Sequence, residues 1–330
     1  MPSLKRPLRI LALAAGAFAG LNLLARYAAS KREDLDPETA DAPGSFLDID
    51  GQRIHYIQAG QGEPVVLIHG WNGSTFTFRY TIPELAHRYR VVALDLLGYG
   101  YSARPADGDY SISAQAELVR RALDRLGIDR AALLGQSMGG AVAMRLALDH
   151  PERVERLILI GSATVKEMQR ARSLGGVLNP LIPLAAAFAL RRGVVRRAFR
   201  SLVHDPACVT PEALEGYYRP LRMKGHLRAI RKHLVDRLRD EPFDAGQIRQ
   251  PTLILWGEHD RFVPLSAGRE LAELIPNAQL AIIRSAGHLA HEEQPEECNR
   301  LLLEFLGRAA REESAASSNG SVRESASPVS

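Results

Sequence analysis

From Phe46 to Ile57 apolar and polar residues alternate about Asp50-Gly51, which predicts two half-buried strands joined by a tight two-residue turn. Beyond it the pattern changes. Val65 to Ile68, Val91 to Leu94, Ala131 to Leu134 and Leu157 to Ile160 are short runs without alternation, as expected of parallel strands covered on both faces. Ser113 to Leu126 repeats apolar residues at spacings of three and four and stops at Gly127, and Gly140 to Leu148 continues helically until His150-Pro151. Two further strand candidates, Thr252 to Trp256 and Leu280 to Ile283, come late. Strand and helix in this rhythm predict an α/β fold built on a mostly parallel, doubly wound sheet with right-handed crossovers.

Residues 164–250 interrupt the rhythm and are far longer than a βα connection needs, so they are expected to form an inserted helical lid between core segments 46–163 and 251–309. Such a lid would lie over the carboxyl ends of the strands, where open α/β sheets bind ligands. It carries seventeen Lys or Arg against eight Asp or Glu, whereas the whole chain has a net charge of only +4. Val177 to Leu190 is apolar but short and holds Pro180 and Pro183, which argues for a lid surface rather than a membrane span. Residues 33–45 read as an acidic, proline-bearing linker and residues 310–330 as a disordered tail.

The first 32 residues differ in kind. Lys5, Arg6 and Arg9 precede the uncharged run Ile10 to Ala25, and Arg26, Lys31 and Arg32 follow it. The expectation is a single N-terminal membrane anchor with the catalytic domain exported to the periplasmic side. The alternatives are a signal peptide cleaved near Ala17-Phe18-Ala19, giving a secreted protein, and a buried or surface helix. With the basic lid, the anchor makes a membrane surface an expected partner. A net charge of +4 is too small to argue for a nucleic-acid partner. Cys208 and Cys298 fit neither a disulfide framework nor a metal spacing.

Gly135-Gln136-Ser137-Met138-Gly139 fits G-x-S-x-G, and it sits between a strand and a helix, where a sharp turn would lift the Ser137 hydroxyl above the sheet edge. A serine nucleophile needs a base, and the base needs an orienting carboxylate. Asp260 is preferred as the acid, with Glu258 as an alternative and Asp95 as a more distant one that reads as structural. His288 is preferred as the base over His291 and His259, because it follows Gly287 in the loop after a strand. His69-Gly70-Trp71 lies just past the first parallel strand. From there the backbone N–H of Trp71, with that of Met138, would face a developing oxyanion. Such a set is chemically sufficient, so neither a metal nor an organic cofactor is expected.

Taken together, His69-Gly70-Trp71, Asp95-x-x-Gly98-x-Gly100-x-Ser102, Gly135-x-Ser137-Met138-Gly139-Gly140, Gly257-x-x-Asp260 and Gly287-His288 resemble the α/β-hydrolase superfamily across residues 46–307. The hydrophobic N-terminus and the Ser-Met-Gly-Gly elbow are similar to membrane-anchored monoacylglycerol lipases and related bacterial esterases. The resemblance implies an α/β-hydrolase fold with an inserted lid and an esterase acting on monoacylglycerols or other medium-chain esters through an acyl-enzyme. Epoxide hydrolases and haloalkane dehalogenases, which carry Asp at the nucleophile position, are disfavoured by Ser137. Carbon–carbon bond, thioester and lactone hydrolases using the same triad remain alternatives, although carbon–carbon hydrolases usually continue the His-Gly loop with Gly-Pro and this chain continues Trp71-Asn72-Gly73. A catalytically silent binding protein is a third.

Overall fold

The computed structural model describes residues 31–163 and 190–307, together with Gly20 and Tyr27. The alternating stretch folds as strands β1 (Ser45–Ile49) and β2 (Gln52–Ala59), paired antiparallel with Ile49 opposite Gln52. Between them Asp50 and Gly51 both take positive φ, 53° and 77°, so the turn has the left-handed backbone that a right-twisted hairpin requires.

The continuous apolar runs become β3 (Pro64–Ile68), β4 (Arg90–Leu94), β5 (Ala131–Gln136), β6 (Val154–Ile160), β7 (Thr252–Gly257) and β8 (Ala278–Ile283). The eight strands form one sheet in the order β1-β2-β4-β3-β5-β6-β7-β8. β2 runs antiparallel to β4, and every pair from β4 through β8 is parallel. Successive residues of β3 and β4 enter different cores: Val66, Ile68, Val92 and Leu94 pack on one side of the sheet, Val65, Leu67, Val91 and Ala93 on the other. Two covered faces explain why these strands carry no polar alternation.

Among the helices are α1 (Ile82–Ala86), α2 (Ile112–Arg125) and α3 (Met138–Asp149). α2 begins where the Ser111 hydroxyl accepts from the Ala114 N–H and buries Val119 and Leu123 in the first core, beside Val142 and Leu146 of α3. Helical residues 295–307 bring Cys298, Leu302 and Phe305 to the second core. The segment between β6 and β7 contains α4 (Arg192–Leu202), α5 (Pro211–Leu221) and α6 (His226–Asp236). It is tied to the start of α2 by buried carboxylates: Asp240 accepts the Ile112 and Ser113 N–H groups at 2.8 and 3.1 Å, and Asp236 that of Tyr110 just before the helix at 3.0 Å. α7 (Leu265–Leu274) and α8 (Ala290–Glu293) complete the order used below.

The acidic stretch before β1 lies along this insert. Glu33 accepts from the Gly225 and Leu227 N–H groups, Asp34 pairs with Arg222, and Asp36 pairs with Lys224.

The expected membrane location is corrected: among the described residues no helix is long and apolar enough to cross a membrane. The run Ile10 to Ala25, on which that expectation rested, lies outside the described residues apart from Gly20. So do residues 164–189, with most of the Val177 to Leu190 run, and 308–330, with the expected tail.

Candidate active site

β5 passes directly into α3 through Ser137, which has φ 53° and ψ −118°. A non-glycine residue at positive φ stores strain of roughly 1–3 kcal/mol and persists only where its surroundings hold it. Here the Ser137 N–H donates to Ile160 O at 2.9 Å and its carbonyl accepts from the Gly140 and Ala163 N–H groups. The helix therefore opens at Met138, two residues earlier than its apolar pattern suggests. Both flanking glycines are required by close approach. A Cβ on Gly135 would strike the Gly139 carbonyl, and one on Gly139 would strike the Ile68 and His69 carbonyls.

That second approach brings the loop after β3 against the start of α3. His69 is fully buried, and burial lowers its pKa, so its ring is neutral: Nδ1–H donates to Gly70 O at 2.7 Å, and Nε2 accepts the Leu96 N–H at 3.1 Å. The imidazole thus pins the loop to the end of β4. Trp71 follows, half exposed at the cavity rim, and Asn72 takes φ 57°. The backbone N–H groups of Trp71 and Met138 meet no acceptor among the described residues, that of Met138 because it belongs to the first turn of a helix.

Asp260 and His288 come together from the loops after β7 and β8. Asp260 Oδ2 accepts His288 Nδ1–H at 2.8 Å, and Oδ1 accepts the Phe262 and Val263 N–H groups at 2.8 Å each. Both side chains are buried. Because a carboxylate only accepts, Nδ1 carries the proton and Nε2 is left as the basic nitrogen. Ser137 and His288 line one cavity, with no hydrogen bond between their side chains among the described residues, an arrangement usual before substrate binds.

The alternatives separate cleanly. Glu258 is half exposed beside His259, and His259 stacks on His204 with ring centroids 4.1 Å apart. His291 is buried against Phe78, with Nε2 3.1 Å from Thr77 Oγ1. Asp95 is consumed by His55 at 2.7 Å and by the Thr75 and Tyr101 N–H groups, which makes it a strand-end anchor. Missing from the sequence reading was a buried cluster behind the site: Glu292 pairs with Arg79 at 2.6 Å and accepts from Thr77 at 2.7 Å and from Tyr217 of α5. Adjacent acidic residues after His291 were its only sequence trace.

The cavity has a volume of about 470 Å³, within the range of small-molecule sites. Its wall is formed largely by the insert: Val195, Phe199 and Leu202 of α4, Tyr217 and Leu221 of α5, and Ile230 and Leu234 of α6 line it together with Ser137, Phe262 and Leu289. No Lys, Arg, Asp or Glu is among its described lining residues. A serine on the cavity wall, an imidazole oriented by a carboxylate, and two unpaired N–H groups are the groups that acyl transfer through a serine uses.

Burial also sets a pH dependence of stability. His226 and His291 are depressed to about 3 and His233 to about 4, all chiefly by desolvation, whereas in an unfolded chain they titrate near 6.5. The unfolded state therefore binds more protons below 6.5. Their contribution is complete above that pH and is lost as pH falls toward 3–4, at up to about 1.4 kcal/mol per unit per histidine. His55 opposes them: its burial is outweighed by Asp95, its pKa is raised, and its contribution is lost as pH rises. Thermal melting should show Tm falling steadily between pH 6.5 and 4.5; a flat Tm across that window would contradict this balance.

A family model described as "alpha/beta hydrolase fold" matches residues 63–295, more than half of the chain. Among curated proteins, a 2-hydroxymuconate semialdehyde hydrolase of Pseudomonas putida is 33% identical over 288 residues, covering 83% of this chain and 97% of its own. Among solved structures, a meta-cleavage product hydrolase of Pseudomonas fluorescens IP01, an S103A mutant complexed with acetates, is 30% identical at a TM-score of 0.68, covering 81% of this chain and 98% of the other. Est816, described as an N-acyl homoserine lactone degrading enzyme, is 30% identical at a TM-score of 0.63, covering 79% and 99%.

Proposed function

The chain belongs to the alpha/beta hydrolase fold family, and from that premise we propose that it is a serine hydrolase cleaving uncharged carboxylic esters with an apolar, medium-length acyl part. Ser137 is the nucleophile, His288 the base and Asp260 its orienting acid. The Ser137 hydroxyl attacks the acyl carbon while His288 Nε2 takes its proton, and the charge gathering on the carbonyl oxygen faces the Trp71 and Met138 N–H groups. Collapse breaks the bond to the leaving alcohol, which takes the proton from His288. Water, activated by the same nitrogen, then frees the acid and restores the serine. Residues 190–250 act as the lid that encloses the acyl part.

One observation carries the ester reading: the cavity wall is apolar, with no cation among its described lining residues. A substrate bearing a carboxylate would have to bury that charge against these described residues without a counter-ion from them, at a cost of several kcal/mol. An acyl chain would instead gain about 0.8 kcal/mol, or about fourfold in kcat/KM, for each methylene enclosed. Carbon–carbon bond cleavage by the same residues is the second reading, supported by the Pseudomonas relatives that carry such names.

A panel of p-nitrophenyl esters from acetate to palmitate, run beside a 2-hydroxy-6-ketodienoate, decides between them. The expected result is kcat/KM rising by up to about fourfold per methylene until the cavity is filled, then falling. Turnover of the ketodienoate with none of any ester would replace the ester reading by the second.

A further inference from the structure

The loop that carries His288 is not held by the sheet alone. The His288 N–H donates to Leu202 O, at the end of α4, at 2.7 Å. Glu293, five residues further on, places its two carboxylate oxygens on opposite sides of this junction. Oε1 accepts the Gly287 N–H at 2.7 Å, and Oε2 accepts the His204 and Asp205 N–H groups at 2.6 and 3.0 Å. Gly287 lies so close to the insert that a Cβ there would meet Leu202 O at 2.7 Å and His204 N at 2.8 Å. On its other side α8 sends Glu292 to Arg79, Thr77 and Tyr217 of α5, a second tie between the same short helix and the insert.

We propose that Glu293 is a positioning residue that acts through His288: it clamps the lid segment 202–205 to the Gly287-His288 backbone, so that the base is aligned with Ser137 only while the lid is seated. The proposal rests on the reading of His288 as the catalytic base. A carboxylate suits the task because it accepts three N–H groups with charge-assisted bonds and donates none. A glutamine of the same size has one accepting oxygen, and can serve either Gly287 or the pair on the lid, but not both. The consequence is a link from substrate to chemistry. An acyl group that fills the cavity packs on α4, and α4 ends in the carbonyl that holds His288.

The test compares Glu293→Gln and Glu293→Ala with wild type on p-nitrophenyl butyrate, with amide hydrogen exchange measured on the same proteins. The expected result is a kcat lower by about 10–100-fold with KM within about threefold, because a misplaced base costs rate rather than binding. Faster exchange should be confined to residues 202–205 and 286–289. A kcat within twofold of wild type in Glu293→Gln would overturn the proposal. So would a kcat loss accompanied by exchange rising throughout the sheet, which is the signature of general destabilisation. Should Glu293→Ala not fold, Glu293→Gln alone carries the decision. Absence of Ser137-dependent turnover in the wild type is a separate outcome, one that removes the reading of the site and this proposal with it.

Discussion

Replacing Ser137 by alanine is expected to lower kcat by about 10⁶-fold on any ester the protein hydrolyses, leaving only the residual rate given by binding and the oxyanion donors. KM should change little, because the hydroxyl contributes to the transition state and not to enclosure of the acyl part. The substitution also relieves nothing structural. Ser137 is held at φ 53° by backbone bonds to Ile160, Gly140 and Ala163, and alanine inherits them. A melting temperature near that of wild type is therefore part of the same expectation. Activity in Ser137→Ala within tenfold of wild type, measured with the best ester of the panel, would show that another group attacks.

The second large effect concerns the acid. Asp260→Asn should reduce kcat by about 10⁴-fold, since an asparagine can present its N–H to His288 Nδ1 and so favour the tautomer whose Nε2 carries the proton, the wrong state for a base. Glu258→Gln supplies the contrast and should stay within about twofold, because Glu258 is half exposed and, among the described residues, the carboxylate bonded to His288 is that of Asp260. Equal losses in both variants would contradict the assignment of the acid to Asp260. The two measurements together separate orientation of the base from loss of a loop charge.

Much of this arrangement is legible in the amino-acid sequence, for identifiable physical reasons. A strand covered on both faces leaves little room for polar residues, so the inner parts of β3, β4, β5 and β6 stand out as apolar runs. Asp50-Gly51 marked the hairpin because few residue pairs tolerate two successive left-handed conformations. The elbow was readable for a related reason: Gly135 and Gly139 leave room that a Cβ would fill, and this spacing survives as a pattern in the chain. Asp260 and His288 could be ranked because each follows a strand, and the fold brings their side chains within 2.8 Å of each other.

What escaped the sequence has no periodicity to betray it. Glu292 meets Tyr217 and Glu293 meets His204 across 75 and 89 residues of chain, and only the folded insert brings them together. The start of α3 was placed late because helix patterns count apolar positions, whereas this helix begins at a strained serine. The apolar run near the N-terminus suggested a membrane span from length and hydropathy alone, and among the described residues no helix meets that description. The bond that is cleaved was the least legible feature. It depends on cavity walls contributed by α4, α5 and α6, whose residues are spaced for helix packing and say little singly about substrate.

The most direct measurement of the central claim is covalent labelling with an alkyl fluorophosphonate, followed by peptide mapping of the wild type, Ser137→Ala and Asp260→Asn. The account predicts a single adduct on Ser137 in the wild type, with loss of esterase activity in step with labelling, no adduct in Ser137→Ala, and slow labelling in Asp260→Asn. An adduct on any other residue, or full esterase activity in protein that the probe leaves unmodified, would contradict it.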